Sequence, residues 1–155
     1  MKVVFAALSI VLAVAATRVC AHDADQRQPG HDDAFGRPGD SAKVSRTIDV
    51  EMNDTMRFIP EKIAVKKGQT VRFLVKNAGR LKHEMVLGTA KELREHAELM
   101  KKFPEMEHDD LNELSLDGGK TGELVWQFTK AGTFDFACLQ PGHYGAGMHG
   151  KIAVR

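Results

Sequence analysis

The sequence predicts an all-β sandwich with one α-helix inserted between strands. Three observations predict it: short stretches in which apolar and polar residues alternate, glycine-bearing turns between those stretches, and a single segment whose apolar residues recur at helical spacing. Alternation places successive side chains on opposite faces, so one face can be buried while the other meets water. Seven or so such strands, with no internal repeat, argue for an antiparallel sandwich.

The chain opens on Lys2, an apolar run from Val3 to Ala16 broken only by Ser9, and the small-residue stretch Val19-Cys20-Ala21. That order is a secretory signal peptide over residues 1–21, with the mature chain beginning at His22. The apolar run falls short of the ~20 residues a spanning helix needs, so no membrane anchor is expected after cleavage. Arg18 and Val19 are poor lipobox residues, which argues against a lipoprotein at Cys20. Cleavage removes two cations and no acid, turning the formal charge from +1 to about −1. No basic block stands out, so nothing favours nucleic acid.

Residues 22–42 are rich in Asp, Gly, Pro and His and nearly devoid of aliphatic side chains. They read as a flexible or loosely docked arm, because they bury too little surface to offset ordering entropy. The domain proper is expected over 43–155. Its strands fall at Ile48, Val50 and Met52, at Ile63 to Val65, and at Val71, Phe73 and Val75, with the turn Lys66-Lys67-Gly68 between the last two. His83 to Leu87 forms the next. The helix follows: Thr89 and Glu92 make a capping box, Leu93, Ala97, Met100 and Phe103 form its apolar stripe, and Pro104 stops it. Residues 105–120 read as an acidic, mostly irregular connection. Later strands fall at Leu124, Trp126 and Phe128, at Phe134 and Phe136, and at Ile152 and Val154.

After cleavage the chain keeps one cysteine, Cys138, in an oxidising compartment where cysteines normally pair. It could be a buried inert residue, half of an intermolecular disulfide, a nucleophile or a metal ligand. Its neighbours decide. The stretch Gly132 to Gly150 reads GTFDFACLQPGHYGAGMHG and spaces Cys138, His143 and Met148 as Cys-x4-His-x4-Met. Strand parity sends Cys138 inward with Phe134 and Phe136. The turn Gln140-Pro141-Gly142 can swing His143 back beside the sulfur, and Gly145-Ala146-Gly147 lets Met148 approach the same point. His83 supplies a second imidazole if its strand packs beside the one ending at Cys138. Two imidazoles, a thiolate and a long axial thioether are the donor set of type 1 copper.

The order of His83, then Cys138, His143 and Met148 in a β-sandwich resembles the cupredoxins, the family of plastocyanin, azurin and pseudoazurin. The similarity covers about residues 43–155 and extends to the Gly-Thr-Phe-x-Phe-x-Cys strand entering the ligand loop and the Gly-Lys-Ile-x-Val strand leaving it. The segments FGRPGDSAKVSRTIDVEMNDTMRF and HEMVLG further resemble periplasmic cupredoxins of the CopI kind, linked to copper tolerance. The resemblance implies a Greek-key sandwich and one type 1 copper ion, with His83, Cys138 and His143 in the trigonal plane and Met148 axial. Zinc could occupy a His2Cys site, but the thioether and the resemblance favour copper. One departure stands out. In many cupredoxins the upstream His is followed by an Asn or Ser that ties the two ligand loops together, and Glu84 stands there instead. A carboxylate so placed would stabilise the oxidised ion.

Other metal-competent residues have plainer readings. His149 reads as a surface histidine pointing away from the metal, and Met85 and Trp126 as core. His22 and His31 in the arm, and His96, Met100, Met106 and His108 in the helix and its connection, could bind auxiliary copper. The functions that follow are a periplasmic copper-tolerance factor or an electron carrier serving a redox partner protein. Four protein ligands leave no open position for substrate, so no enzyme is expected.

Overall fold

The computed structural model describes residues 35–104 and 110–155. Ten strands form two sheets: β1 (Arg37–Pro38), β2 (Arg46–Asn53), β3 (Arg57–Ile59), β4 (Lys62–Val65), β5 (Thr70–Asn77), β6 (His83–Gly88), β7 (Glu113–Leu116), β8 (Thr121–Gln127), β9 (Gly132–Ala137) and β10 (His149–Val154). The helix α1 (Ala90–Lys102) lies between β6 and β7. One sheet runs β1-β8-β5-β2-β3 and the other β4-β10-β9-β6-β7. Ile48, Val50 and Met52 of β2, Val71, Phe73 and Val75 of β5, and Phe134 and Phe136 of β9 meet between them in one core. Phe58 meets Phe136 edge to face there, with ring centroids 5.0 Å apart.

The sheets are mixed where an antiparallel sandwich was expected. β2 pairs with β5 and β4 pairs with β10 in parallel. The reason is the crossover: the chain leaves the first sheet after β3, runs through β4 in the second, and returns to lay β5 beside β2 in the same direction. Three further strands, β1, β3 and β7, depart from the sequence reading. β7 forms inside the connection read as irregular, because Leu116 is buried and Leu114 packs against the core while Ser115 between them faces out. Residues 35–42, assigned to the arm, are built into the sandwich: Phe35 is buried and stacks on Trp126 at 5.1 Å, and β1 pairs with β8. A single aromatic ring supplies the apolar surface that the rest of the segment lacks. The expected signal peptide, residues 1–21, and residues 22–34 of the expected arm lie outside the described residues.

The capping box of α1 forms as expected. Thr89 Oγ1 accepts from Glu92 N–H at 3.3 Å, and Glu92 Oε2 accepts from Thr89 N–H at 2.9 Å. Leu93, Ala97 and Met100 pack with Val86, Ala137 and Leu139 in a second apolar cluster. That cluster buries the outer face of β6, so all six of its residues are buried. Phe103 leaves the stripe: it is the C-cap, its backbone has left helical geometry, and it is 53% exposed.

Candidate metal centre

The site is assembled at one end of the second sheet. β6 and β9 run antiparallel with Val86 opposite Ala137, so the start of β6 and the exit of β9 lie at the same end. The start of β6 is His83, and the residue after β9 is Cys138. Both are fully buried, Cys138 on the inward face with Phe134 and Phe136, as strand parity predicts. The chain then turns: His143 N–H donates to Gln140 O at 2.9 Å, and Gly142 adopts a φ of 87°, a left-handed conformation that glycine takes at little cost. Met148 closes the loop. Its N–H donates to His143 O at 3.1 Å and its carbonyl accepts from Cys138 N–H at 3.0 Å, and its side chain is fully buried in the same core as Cys138.

Three donor atoms converge. Cys138 Sγ lies 3.3 Å from His143 Nδ1 and 4.0 Å from His83 Nδ1, and the two Nδ1 atoms are 3.2 Å apart. Among the described residues this is the one group of three or more His, Cys, Asp or Glu side chains close enough to share an ion. Two imidazoles and a thiolate suit a borderline or soft metal, and the buried thioether of Met148 follows on the same loop.

Two carboxylates brace the cluster. Glu84, 5% exposed, accepts from Leu139 N–H at 2.8 Å through Oε1 and from Gln140 Nε2 at 2.7 Å through Oε2. The tie between the ligand segments that Glu84 was expected to lack is therefore made by Glu84 itself. Its strand position explains why: it points to the opposite face from His83, beneath α1, where the Leu139 amide needs an acceptor. The second carboxylate, Asp54, went unnoticed in the sequence. It sits in the turn between β2 and β3, and its Oδ1 lies 3.0 Å from His83 Nε2. The signal for it is weak, an acid in an Asn-Asp-Thr turn that any surface loop could carry.

Comparison with known proteins agrees with this geometry. The family described as copper-binding proteins of the plastocyanin/azurin kind matches residues 43–155. The chain belongs to that family. As a cupredoxin it carries one type 1 copper ion, which the His83-Cys138-His143 cluster fits. It is 53% identical over 135 residues to the copper-resistant cuproprotein CopI of Rubrivivax gelatinosus, covering 87% of this chain and 78% of that one. It is 39% identical to the CopI of Pseudomonas aeruginosa, with coverage of 84% and 87%. Among solved structures, the reduced auracyanin of Roseiflexus castenholzii superposes with a TM-score of 0.63 at 20% identity, over 72% of this chain and 98% of that one, a likeness of fold.

The environment of the cupredoxin centre sets its proton chemistry. Burial pushes the Cys138 thiol up to about 12, chiefly by desolvation, with the charge of Glu84 adding to it. His143 is held below the ordinary histidine value, first by desolvation and then by repulsion from His83. Asp54 is held low, chiefly by the Arg80 backbone N–H it accepts.

The remaining histidines and methionines sort plainly. His149 is exposed, with its ring 5.4 Å from that of Tyr144, and Met85 and Trp126 are core. Met100 is buried in the stripe of α1. His22, His31, Met106 and His108 lie outside the described residues. Among the described residues no helix is long and apolar enough to cross a membrane.

Proposed function

We propose that this cupredoxin is a periplasmic copper-tolerance protein that binds one copper ion through His83, Cys138 and His143, with Met148 as a weaker fourth ligand. The observation that carries this is the convergence of the two Nδ1 atoms and Sγ within 4.8 Å of one another at the end of the sandwich. The likeness to CopI proteins, whose names record copper resistance, supports the tolerance role. Export rests on the signal-like residues 1–21.

Bound copper supplies one-electron chemistry between Cu(I) and Cu(II). The protein's part is to hold its ligands so that little has to move. Cys138 and Met148 are locked to one another through the backbone, His83 is fixed at a strand start, and Glu84 anchors the segment after Cys138. Burial keeps water and oxidants from the thiolate. All four ligands come from the protein and none leaves a position for a substrate, so the role is binding and redox rather than enzymatic.

Electron transfer to a redox partner is the second reading. It is favoured by His143 being partly exposed on a loop where Pro141, Gly142, Gly145 and Ala146 are exposed, small or apolar groups that a partner could approach. Deleting the gene separates the two. Copper sensitivity with normal respiration supports tolerance, and normal growth in copper with impaired electron transport supports the carrier. In vitro, Cys138→Ser should abolish the intense visible charge-transfer band of the Cu(II) protein. An unchanged band would remove Cys138 from the ligand set.

A further inference from the structure

Asp54 stands outside the ligand set, yet it touches the most buried part of it. Its Oδ1 lies 3.0 Å from His83 Nε2, and His83 is fully buried. The same carboxylate also accepts from Arg80 N–H at 2.9 Å through Oδ2 and from Leu81 N–H at 3.3 Å through Oδ1. Both of these donors lie in the loop that leads into His83. That loop is held from its other side by Asn77, whose Nδ2 donates to Leu81 O at 2.8 Å and whose Oδ1 accepts from Gly79 N–H at 2.9 Å. Gly79 is pressed so close that a Cβ there would run into Asp54 Oδ1. The approach of loop and carboxylate is thus built into the backbone.

The hydrogen-bond inventory fixes the tautomer. A carboxylate receiving backbone N–H bonds on both oxygens is an acceptor, so the proton between Asp54 and His83 belongs to Nε2. His83 Nδ1 is then left with a lone pair, and the atoms 3.2 Å and 4.0 Å away from it are His143 Nδ1 and Cys138 Sγ. A proton shared between the two Nδ1 atoms would then be carried by His143, the more exposed of the pair.

We infer that Asp54 is a positioning residue of the copper centre: its carboxylate holds His83 as the Nε2–H tautomer with Nδ1 turned to the metal position, and its negative charge favours the more highly charged oxidation state. The inference rests on His83 being a copper ligand. A histidine oriented by a carboxylate is a more basic ligand than one left to water, and a fixed negative charge behind it adds to Cu(II) more than to Cu(I).

The test uses the full mature chain with Asp54→Asn, Asp54→Ala and Gly79→Ala. In the metal-free protein, nitrogen-15 NMR of the His83 ring should show a single Nε2–H tautomer in the wild type and in Asp54→Asn, which keeps an acceptor. In Asp54→Ala and Gly79→Ala the tautomers should mix. With copper bound, Asp54→Asn should raise the midpoint reduction potential while keeping the visible band, and Asp54→Ala should also weaken copper binding about 10–100-fold. A role confined to bracing the loop would leave the potential of Asp54→Asn unmoved, and that result overturns the inference, as does an unmixed Nε2–H tautomer in a folded Asp54→Ala. If the alanine variant does not fold, the potential and tautomer of Asp54→Asn decide alone. His83→Gly keeps the two ideas separate: if it binds copper as the wild type does, the ligand reading has failed, whereas impaired binding in it beside an unmoved Asp54→Asn potential counts against Asp54 alone.

Discussion

His83 and His143 bring the same imidazole nitrogen to the same point from opposite surroundings. His83 begins a strand buried on both faces, is wholly shielded, and has its far nitrogen held by Asp54. His143 rides a loop of small residues, is partly exposed, and among the described residues has no partner for its Nε2. One imidazole belongs to the rigid sandwich and the other to its rim. The lesson is that such a site can be anchored from one side only: strands β6, β9 and β10 fix the backbones of His83, Cys138 and Met148, and the His143 side remains open to solvent or a partner.

The largest expected effect breaks this comparison outright. Replacing either histidine by glycine should weaken copper binding by more than the roughly 10–100-fold carried by outer-shell partners. The variants should then differ in repair. Added imidazole should restore the visible band of His143→Gly, because the gap opens to solvent, and restore His83→Gly far less, because that gap is enclosed. Equal rescue of both, followed by visible titration, would erase the distinction between core and rim.

Acidity probes the same contrast. With the thiol raised to about 12, copper binding near neutral pH must displace the Cys138 proton, so apparent affinity should rise about tenfold per pH unit. His143, held below its ordinary value, stays neutral there and adds a second proton only in acid, where the slope should steepen. Competition with a chelator across pH reads both slopes. In the metal-free protein the two groups act at opposite ends. The Cys138 contribution to stability is complete below its unfolded value of 9.0 and is lost as pH climbs toward 12, about 1.4 kcal/mol by pH 10. The His143 contribution is complete above 6.5 and lost as pH falls. Urea midpoints at pH 8 and 10 should show the alkaline loss in wild type and none of it in Cys138→Ala.

Glu84 links the two regions, since its carboxylate joins the His83 strand to the segment that carries His143. Glu84→Ala should cost about 1–3 kcal/mol in urea unfolding, because the buried Leu139 amide loses its acceptor. Glu84→Gln retains an acceptor oxygen and should recover part of that loss. An alanine variant as stable as wild type would mean that water replaces the carboxylate and the tie is dispensable.

How much of this was readable in the residues follows the range of the forces involved. The seven strands expected from alternation all formed, and so did the capped helix, since each depends on neighbours within a few positions. Cys138, His143 and Met148 share one loop, so their spacing marked them as candidates, and the folded chain brings Cys138 and His143 together. His83 needed one added inference, that its strand lies beside β9, and it does. What stayed hidden depends on contacts distant in sequence. β1 exists because Phe35 finds Trp126, and β7 because Leu114 and Leu116 find a core edge. Asp54 reaches His83 from a different sheet. Glu84 was legible as an oddity, but its role was not, because only the folded chain shows the Leu139 amide waiting beneath α1.

The smallest effect comes from the region farthest from the comparison in function and closest to it in packing. α1 covers the outer face of β6 and touches the ligand loop through the cluster that holds Leu139 and packs against Tyr144. Its N-terminus is held by the reciprocal Thr89 and Glu92 bonds. Thr89→Ala removes one of them and should cost about 1 kcal/mol of global stability. If the helix serves only as a lid over β6, the visible spectrum and reduction potential of the copper form should not move. A spectral shift in that variant would mean that strain at the helix start passes through Leu139 and Tyr144 into the loop, so that the rim is tuned by α1 as well as by the strands.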